Sequence, residues 1–209
     1  MHFVFDFGAV LFDWRPAALL RQVLPHRAHD DASAAHWVAQ VFQGYGGDWG
    51  DFDRGVVSPA ALIERVAART GLTPDEVLAV VDAVPQALAP LPGSVALLAR
   101  LRQAGRPLYY LSNMPEPYAD HLEREHDVVG WFADGVFSAR VQLCKPDPAI
   151  FALAAQRFGR VGSELLFLDD HPANVAAAQA AGWRALQFVD AAQCEADLRQ
   201  RGWWPTELA

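Results

Sequence analysis

Cysteine is scarce in this sequence: Cys144 and Cys194 are the only two in 209 residues. Two thiols this far apart build no disulfide framework, which argues against a small secreted scaffold and for a reducing, cytoplasmic setting. Runs of Lys and Arg are missing as well. The chain carries 17 basic and 25 acidic residues, a formal net charge of −8, and nucleic-acid binding depends on neutralising phosphates with basic side chains. A nucleic-acid partner is therefore not expected. No apolar stretch approaches the roughly 20 residues needed to cross a bilayer, so no membrane partner is expected either. The start, Met1-His2-Phe3-Val4-Phe5-Asp6, has no charged segment followed by a long apolar one and does not read as a leader. Internal repeats and low-complexity segments are also absent. What remains is a globular chain, read as a monomer, long enough for one sizeable core or a core plus a small module.

Several short apolar runs stop abruptly at polar residues. They are Phe3–Phe5, Pro107–Leu111, Gly135–Phe137, Glu164–Leu168 and Arg184–Phe188. Continuous rather than alternating apolar runs are expected of parallel strands buried on both faces. Helical stretches lie between them, at Ser94–Ala104, Pro148–Phe158 and Pro172–Ala181. Strand alternating with helix predicts an α/β fold, a parallel sheet with helices on both faces.

The alternation breaks once. From about Trp14 to Pro92 the chain reads as helices only. Ser58-Pro59 and Thr73-Pro74 are helix starts, and Glu76 completes a capping box with Thr73. Leu62, Val66 and Ala67 stripe one helix, and Val77, Val80 and Val81 the next. The segment from Gly44 to Gly55 mixes glycines with aromatics and reads as a mobile loop with large contact surfaces, or alternatively as a connector with buried aromatics.

In an open parallel sheet, ligands bind beyond the carboxyl ends of the strands. Those ends are polar here: Asp6 after the first, Ser112 and Asn113 after Leu111, Asp169 and Asp170 after Leu168, and Lys145 in the loop after Phe137. Singly, each passes for a cap, a turn former or a solvated charge. Together they are chemically coherent. Three carboxylates at one sheet edge repel each other unless a cation neutralises them, and Mg²⁺ takes one or two carboxylates plus substrate oxygens. Lys145 suits a phosphate, Ser112 and Asn113 can donate to its oxygens, and an aspartate can attack phosphorus directly.

These segments carry a resemblance. Phe5-Asp6-Phe7-Gly8-Ala9-Val10-Leu11-Phe12-Asp13, Leu111-Ser112-Asn113, Lys145-Pro146-Asp147-Pro148 and Leu166-Phe167-Leu168-Asp169-Asp170 resemble, in order, the four motifs of the haloacid dehalogenase superfamily, and Asn174 and Ala178 continue the fourth. A receiver domain of the signalling type also combines acids and a lysine, but it carries its acidic pair at the first strand. The resemblance implies a Rossmann-like core at residues 1–14 and 93–209, with a four-helix cap inserted at 15–92. It implies Asp6 as nucleophile, Mg²⁺ held by Asp6, the Gly8 carbonyl, Asp170 and Asp169, and Ser112, Asn113 and Lys145 around a phosphoryl group. The substrate would be a small phosphorylated metabolite, chosen by cap residues such as Trp49, Asp53 and Arg54. The Asp-x-Gly-x-Val start and the Asp53-Arg54-Gly55 turn look most like bacterial α-D-glucose-1-phosphatases.

Two positions depart from the pattern. Most phosphatases of this family have a general acid two residues after the nucleophile, where this chain has Gly8. Gln142 stands where a glycine usually precedes the third motif. The missing acid leaves two rivals open. One is a dehalogenase that uses Asp6 without metal, since a halide leaves unprotonated. The other is a binding protein that retains the fold without catalysis.

Overall fold

A computed structural model describes residues 1–205 and Glu207. Five strands, β1 (His2–Phe5), β2 (Leu108–Ser112), β3 (Asp134–Phe137), β4 (Leu165–Asp169) and β5 (Arg184–Gln187), form one parallel sheet in the order β3-β2-β1-β4-β5. The five apolar runs are the five strands, each within about a residue of its expected ends. Alternate side chains explain why the runs are continuous. Phe3 and Phe5 join the core on one face of the sheet, Val4 the core on the other, and both faces are dry.

The first strand is followed by an insert of five helices, α1 (Pro16–Val23), α2 (Asp31–Phe42), α3 (Gly47–Asp53), α4 (Pro59–Thr70) and α5 (Pro74–Ala87), and then by one more helix before the sheet resumes. Both expected helix starts are capped. Ser58 Oγ accepts from the Ala61 N–H at 3.2 Å, and Thr73 and Glu76 cap each other reciprocally at 3.2 and 2.7 Å. Such caps are worth about 1 kcal/mol each. Leu62, Val66, Val77, Val80 and Val81 are buried as their stripes require.

The Gly44–Gly55 segment is not a loop. A 3₁₀ turn at Gln43–Tyr45 leads into α3, and the insert thus holds five helices where four were expected. The glycines serve the turn before the helix: Gly44 and Gly47 sit at φ +60° and +52°, in the left-handed region. The Gln43 side chain accepts from the Asp48 N–H at 2.9 Å and starts the helix. Trp49 and Phe52, three apart, then share one buried face. Composition suggested mobility, but burial of two large aromatics decided the segment.

The remaining helices are α6 (Pro92–Gln103), α7 (Glu116–Glu125), α8 (Ser138–Val141), α9 (Pro148–Phe158), α10 (Pro172–Ala180) and α11 (Ala191–Gln200). The insert shares its core with the α6 and α11 face of the sheet, while α9 and α10 cover the other. Its closest approach to the sheet is through α3. Ser138 Oγ takes a bond from the Met114 N–H at 2.8 Å and donates to the Asp53 carbonyl. At Gly55 a Cβ would lie 2.7 Å from the Ala139 carbonyl oxygen, so no larger residue fits there. Gln142 ends α8 at φ +56°. That left-handed conformation is why a glycine suits the position and what the glutamine strains against. Among the described residues, no helix is long and apolar enough to cross a membrane.

Candidate active site

Because β1 is central, its neighbours' ends converge on the residue after it. The Asp6 N–H donates to the Leu168 carbonyl at 2.9 Å, extending the ladder by one step and setting Asp6 beside Asp169. On the other side Ser112 closes β2. Lys145, the only lysine in the chain, reaches this point from the loop before α9. Its Nζ donates to Asp169 Oδ2 at 2.7 Å and lies 2.8 Å from Asp6 Oδ1. Apart from this ion pair, no donor among the described residues reaches the buried Asp6 Oδ1.

The paired acids differ in freedom. Asp169 is fully buried and accepts from Lys145, from the His171 N–H at 2.8 Å and from Asn174 Nδ2 at 3.0 and 3.1 Å, which occupies both its oxygens. Asp170, on the cavity side, has no such partners and stays exposed. The electrostatics follow from this crowding. Burial raises the Asp6 carboxyl, with Asp169 and Asp170 adding to the rise and Lys145 opposing it. Burial and then Asp169 raise Asp170. Burial alone would lower Lys145, but Asp169 and Asp6 outweigh it and hold the ammonium charged. Ligand atoms of Asp6, Asp169 and Asp170 all lie within 4.8 Å of one another. Three acids facing a single ammonium leave negative charge uncompensated, a donor set that fits a hard divalent ion.

A cavity of 190 Å³ opens beside this cluster, between the strand ends and the insert. Of the expected residues it is lined by Asp6, Gly8, Ser112, Asn113, Lys145, Asp170, Trp49 and Asp53. Two have other tasks than expected. The Asn113 side chain accepts from the Lys145 N–H at 2.8 Å and donates to the Lys145 carbonyl at 2.9 Å, so it clasps the lysine's main chain rather than waiting for a ligand. Arg54 is not in the lining. Its guanidinium turns to Asp51 at 3.1 Å on the surface, because the last turn of α3 buries Asp53 and leaves the next residue outside. Sequence reasoning missed Trp14, Tyr45, Leu88, Met114 and Tyr118, which also line the cavity. Isolated apolar residues spread over a hundred positions carry no local signal of a shared wall.

Asp53 is buried at the cavity, and burial raises its carboxyl from 3.8 to about 8, with Asp6 adding to the rise and Lys145 opposing it. The proton is thus held by the folded chain at pH values where the unfolded chain has lost it. Stability from this group is complete below about pH 4 and lost as pH rises towards 8. Asp53→Asn, which keeps the neutral shape, should therefore fall less in melting temperature between pH 5 and 8.5 than the unsubstituted protein; the raised Asp6 carboxyl contributes to the decline in both. Parallel decline in both proteins would mean the carboxyl is not titrating there.

Fold and site together define an α/β protein with acids and a lysine at the carboxyl edge of a parallel sheet. The chain belongs to the haloacid dehalogenase-like hydrolases, which it matches over residues 3–182. It is 27% identical over 198 residues to a sesquiterpene phosphatase, astK, of Aspergillus oryzae, with 94% of each chain covered. It is 34% identical over 99 residues to hexitol phosphatase A of Escherichia coli, covering 46% of this chain and 44% of that one. Among solved structures, the haloacid dehalogenase-family enzyme bt-2542 of Bacteroides thetaiotaomicron, in complex with magnesium and inorganic phosphate, superposes with a TM-score of 0.69 at 19% identity, over 89% of this chain and 92% of that one. The L-2-haloacid dehalogenase RSc1362 superposes at 0.66 with 23% identity, over 89% and 85%.

Proposed function

We propose that this chain is a magnesium-dependent phosphatase of small phosphate monoesters, acting through an aspartyl-phosphate at Asp6. The observation that supports this most is the buried Asp6 carboxylate set among two further carboxylates and paired only with a charged lysine. Asp6, the Gly8 carbonyl and Asp170 would hold Mg²⁺, with Asp169 tying Lys145 in place; the ion would offset the repulsion between Asp6 and the phosphate and polarise the phosphoryl group. An Asp6 oxygen attacks phosphorus as the bond to the leaving oxygen breaks. Water then cleaves the acyl phosphate, restoring the carboxylate and releasing inorganic phosphate. Lys145 and Ser112 neutralise and orient the phosphoryl oxygens, and Asn113 fixes Lys145 by its main chain. The two free cysteines fit a cytoplasmic setting. The phosphatase names among the relatives support the phosphoryl reaction over halide displacement, which has no use for three acids. The test is phosphate release from a panel of monoesters with Mg²⁺ and with EDTA, α-D-glucose 1-phosphate among them. No Mg²⁺-dependent release from any ester would overturn the proposal.

Gly8 leaves the departing oxygen without a proton donor at the usual place. Rates should fall steeply as the leaving group becomes more basic, from acyl and aryl to primary alkyl phosphates. A Cβ at Gly8 would meet only the Trp14 side chain at 3.8–3.9 Å, an ordinary contact. Gly8→Asp is therefore expected to fold and to raise kcat on alkyl phosphates by about 10–100-fold, with little gain on acyl phosphates. A flat dependence on leaving-group pKa in the unsubstituted protein would show that another group supplies the proton.

A further inference from the structure

Away from the acids and the lysine, much of the cavity lining is apolar. Trp14, Tyr45, Trp49, Val84, Leu88 and Met114 form this wall, drawn from the first strand–helix connection, the turn before α3, α3 itself, the end of α5 and the loop after β2. Some of its polar atoms are engaged already. Trp14 Nε1 donates to the Tyr45 hydroxyl at 2.7 Å, and the Tyr118 hydroxyl donates to the Val81 carbonyl at 2.9 Å. On the insert side, among the described residues, the Asp53 carboxyl, the Tyr45 hydroxyl proton and the Trp49 indole N–H remain for a ligand. A hexose phosphate brings several hydroxyls, each of which loses water on entry and needs a partner here.

Size limits the occupant as well. The cavity measures 190 Å³, and a dry apolar cavity of about 150 Å³ takes up one benzene. A phosphate at Asp6 leaves room for a body of about ring size.

We infer that the alcohol part of the substrate is a compact apolar group of about ring size, aryl or alicyclic, bearing at most one or two hydroxyls placed for Asp53, Tyr45 or Trp49. This rests on the phosphatase reading above and narrows it. A sugar phosphate of the same size is refused because the wall leaves hydroxyls unpaired, not because it is too large.

The deciding pair is cyclohexylmethyl phosphate and glucose 6-phosphate. Both are primary alkyl phosphates on a six-membered ring, so the missing acid at Gly8 handicaps them alike and the ring hydroxyls are the main difference. Acetyl phosphate, which needs neither the wall nor a proton donor, reports the chemistry alone. The expected result is Mg²⁺-dependent turnover of acetyl phosphate, with kcat/KM for cyclohexylmethyl phosphate at least about 100-fold above that for glucose 6-phosphate. A ratio below tenfold, or acetyl phosphate cleaved with neither ester accepted, overturns the inference and leaves the phosphatase reading standing. No turnover of any of the three compounds overturns both. Val84→Thr is nearly isosteric and adds a hydroxyl to the wall. It should narrow the ratio several-fold while acetyl phosphate turnover confirms a folded, competent site; an unchanged ratio also overturns the inference.

Discussion

Asp6→Asn is expected to lower turnover of every phosphate ester by about 10⁴-fold or more, since an amide cannot form the acyl phosphate and removal of a nucleophile leaves only binding and positioning. The same substitution should leave the fold intact. Asn matches Asp in size, and Asp169 still holds Lys145 at 2.7 Å. It also removes one of three mutually repelling acids, whose burial raises the Asp6 carboxyl, so the melting temperature of the metal-free protein should hold or rise. The measurements are single-turnover phosphate release and thermal unfolding of the two proteins side by side. Retention of a tenth of the activity would show that Asp6 is not the nucleophile, while complete loss with an unchanged fold removes the reading of a non-catalytic binding protein.

Withdrawal of Mg²⁺ with EDTA should abolish activity, and Asp170→Ala should cost about 100-fold or more or demand far higher Mg²⁺. Asp170 is the acid with open access: its neighbour Asp169 is saturated by Lys145, His171 and Asn174, whereas Asp170 faces the cavity and its carboxyl is raised by burial and by Asp169. A cation bound by the folded chain stabilises it by mass action. Mg²⁺ should therefore raise the melting temperature of the unsubstituted protein by a few degrees and leave that of Asp170→Ala almost unmoved. The thermal shift reads the site without relying on turnover. Undiminished turnover in EDTA would sink the metal reading and favour metal-free displacement by Asp6.

Much of the sheet could be read from the sequence because a parallel strand buried on both faces has a local signature. Phe3-Val4-Phe5 and Leu165–Leu168 are apolar at every position, and their sharp polar ends mark where the chain leaves the sheet. Asp6, Ser112, Asp169 and Asp170 were legible for the same reason, being the first polar residues after buried runs. One further signal went unread: Lys145 is the only lysine among 17 basic residues, and a chain that otherwise uses arginine throughout keeps its one compact, strongly hydrated ammonium for a fully buried site.

The insert was legible only as helix. Its capping boxes and apolar stripes are local, so Ser58, Thr73 and Glu76 follow from the residues beside them. The Gly44–Gly55 segment does not, because its glycines satisfy a left-handed turn while Trp49 packs on Phe42, outside the segment, and Phe52 on Tyr118, far along the chain. Asn113 and Arg54 illustrate the same limit at the level of single side chains. Nothing near Asn113 in sequence says that it will grip a lysine thirty-two residues away, and nothing near Arg54 says that it will turn outward to Asp51.

The sequence by itself determined the sheet, the helical character of the insert and the set of acids, serine and lysine, because strand burial, helix capping and abrupt polar ends are properties of neighbouring residues. Tertiary structure alone decided how those groups are used: which acid is saturated and which is open, that Asp6 is buried against Lys145, and that residues from Trp14 to Tyr118 meet around one cavity. Each of these depends on atoms brought within a few ångströms from distant parts of the chain, where burial and charge act through distance in space and not along the sequence.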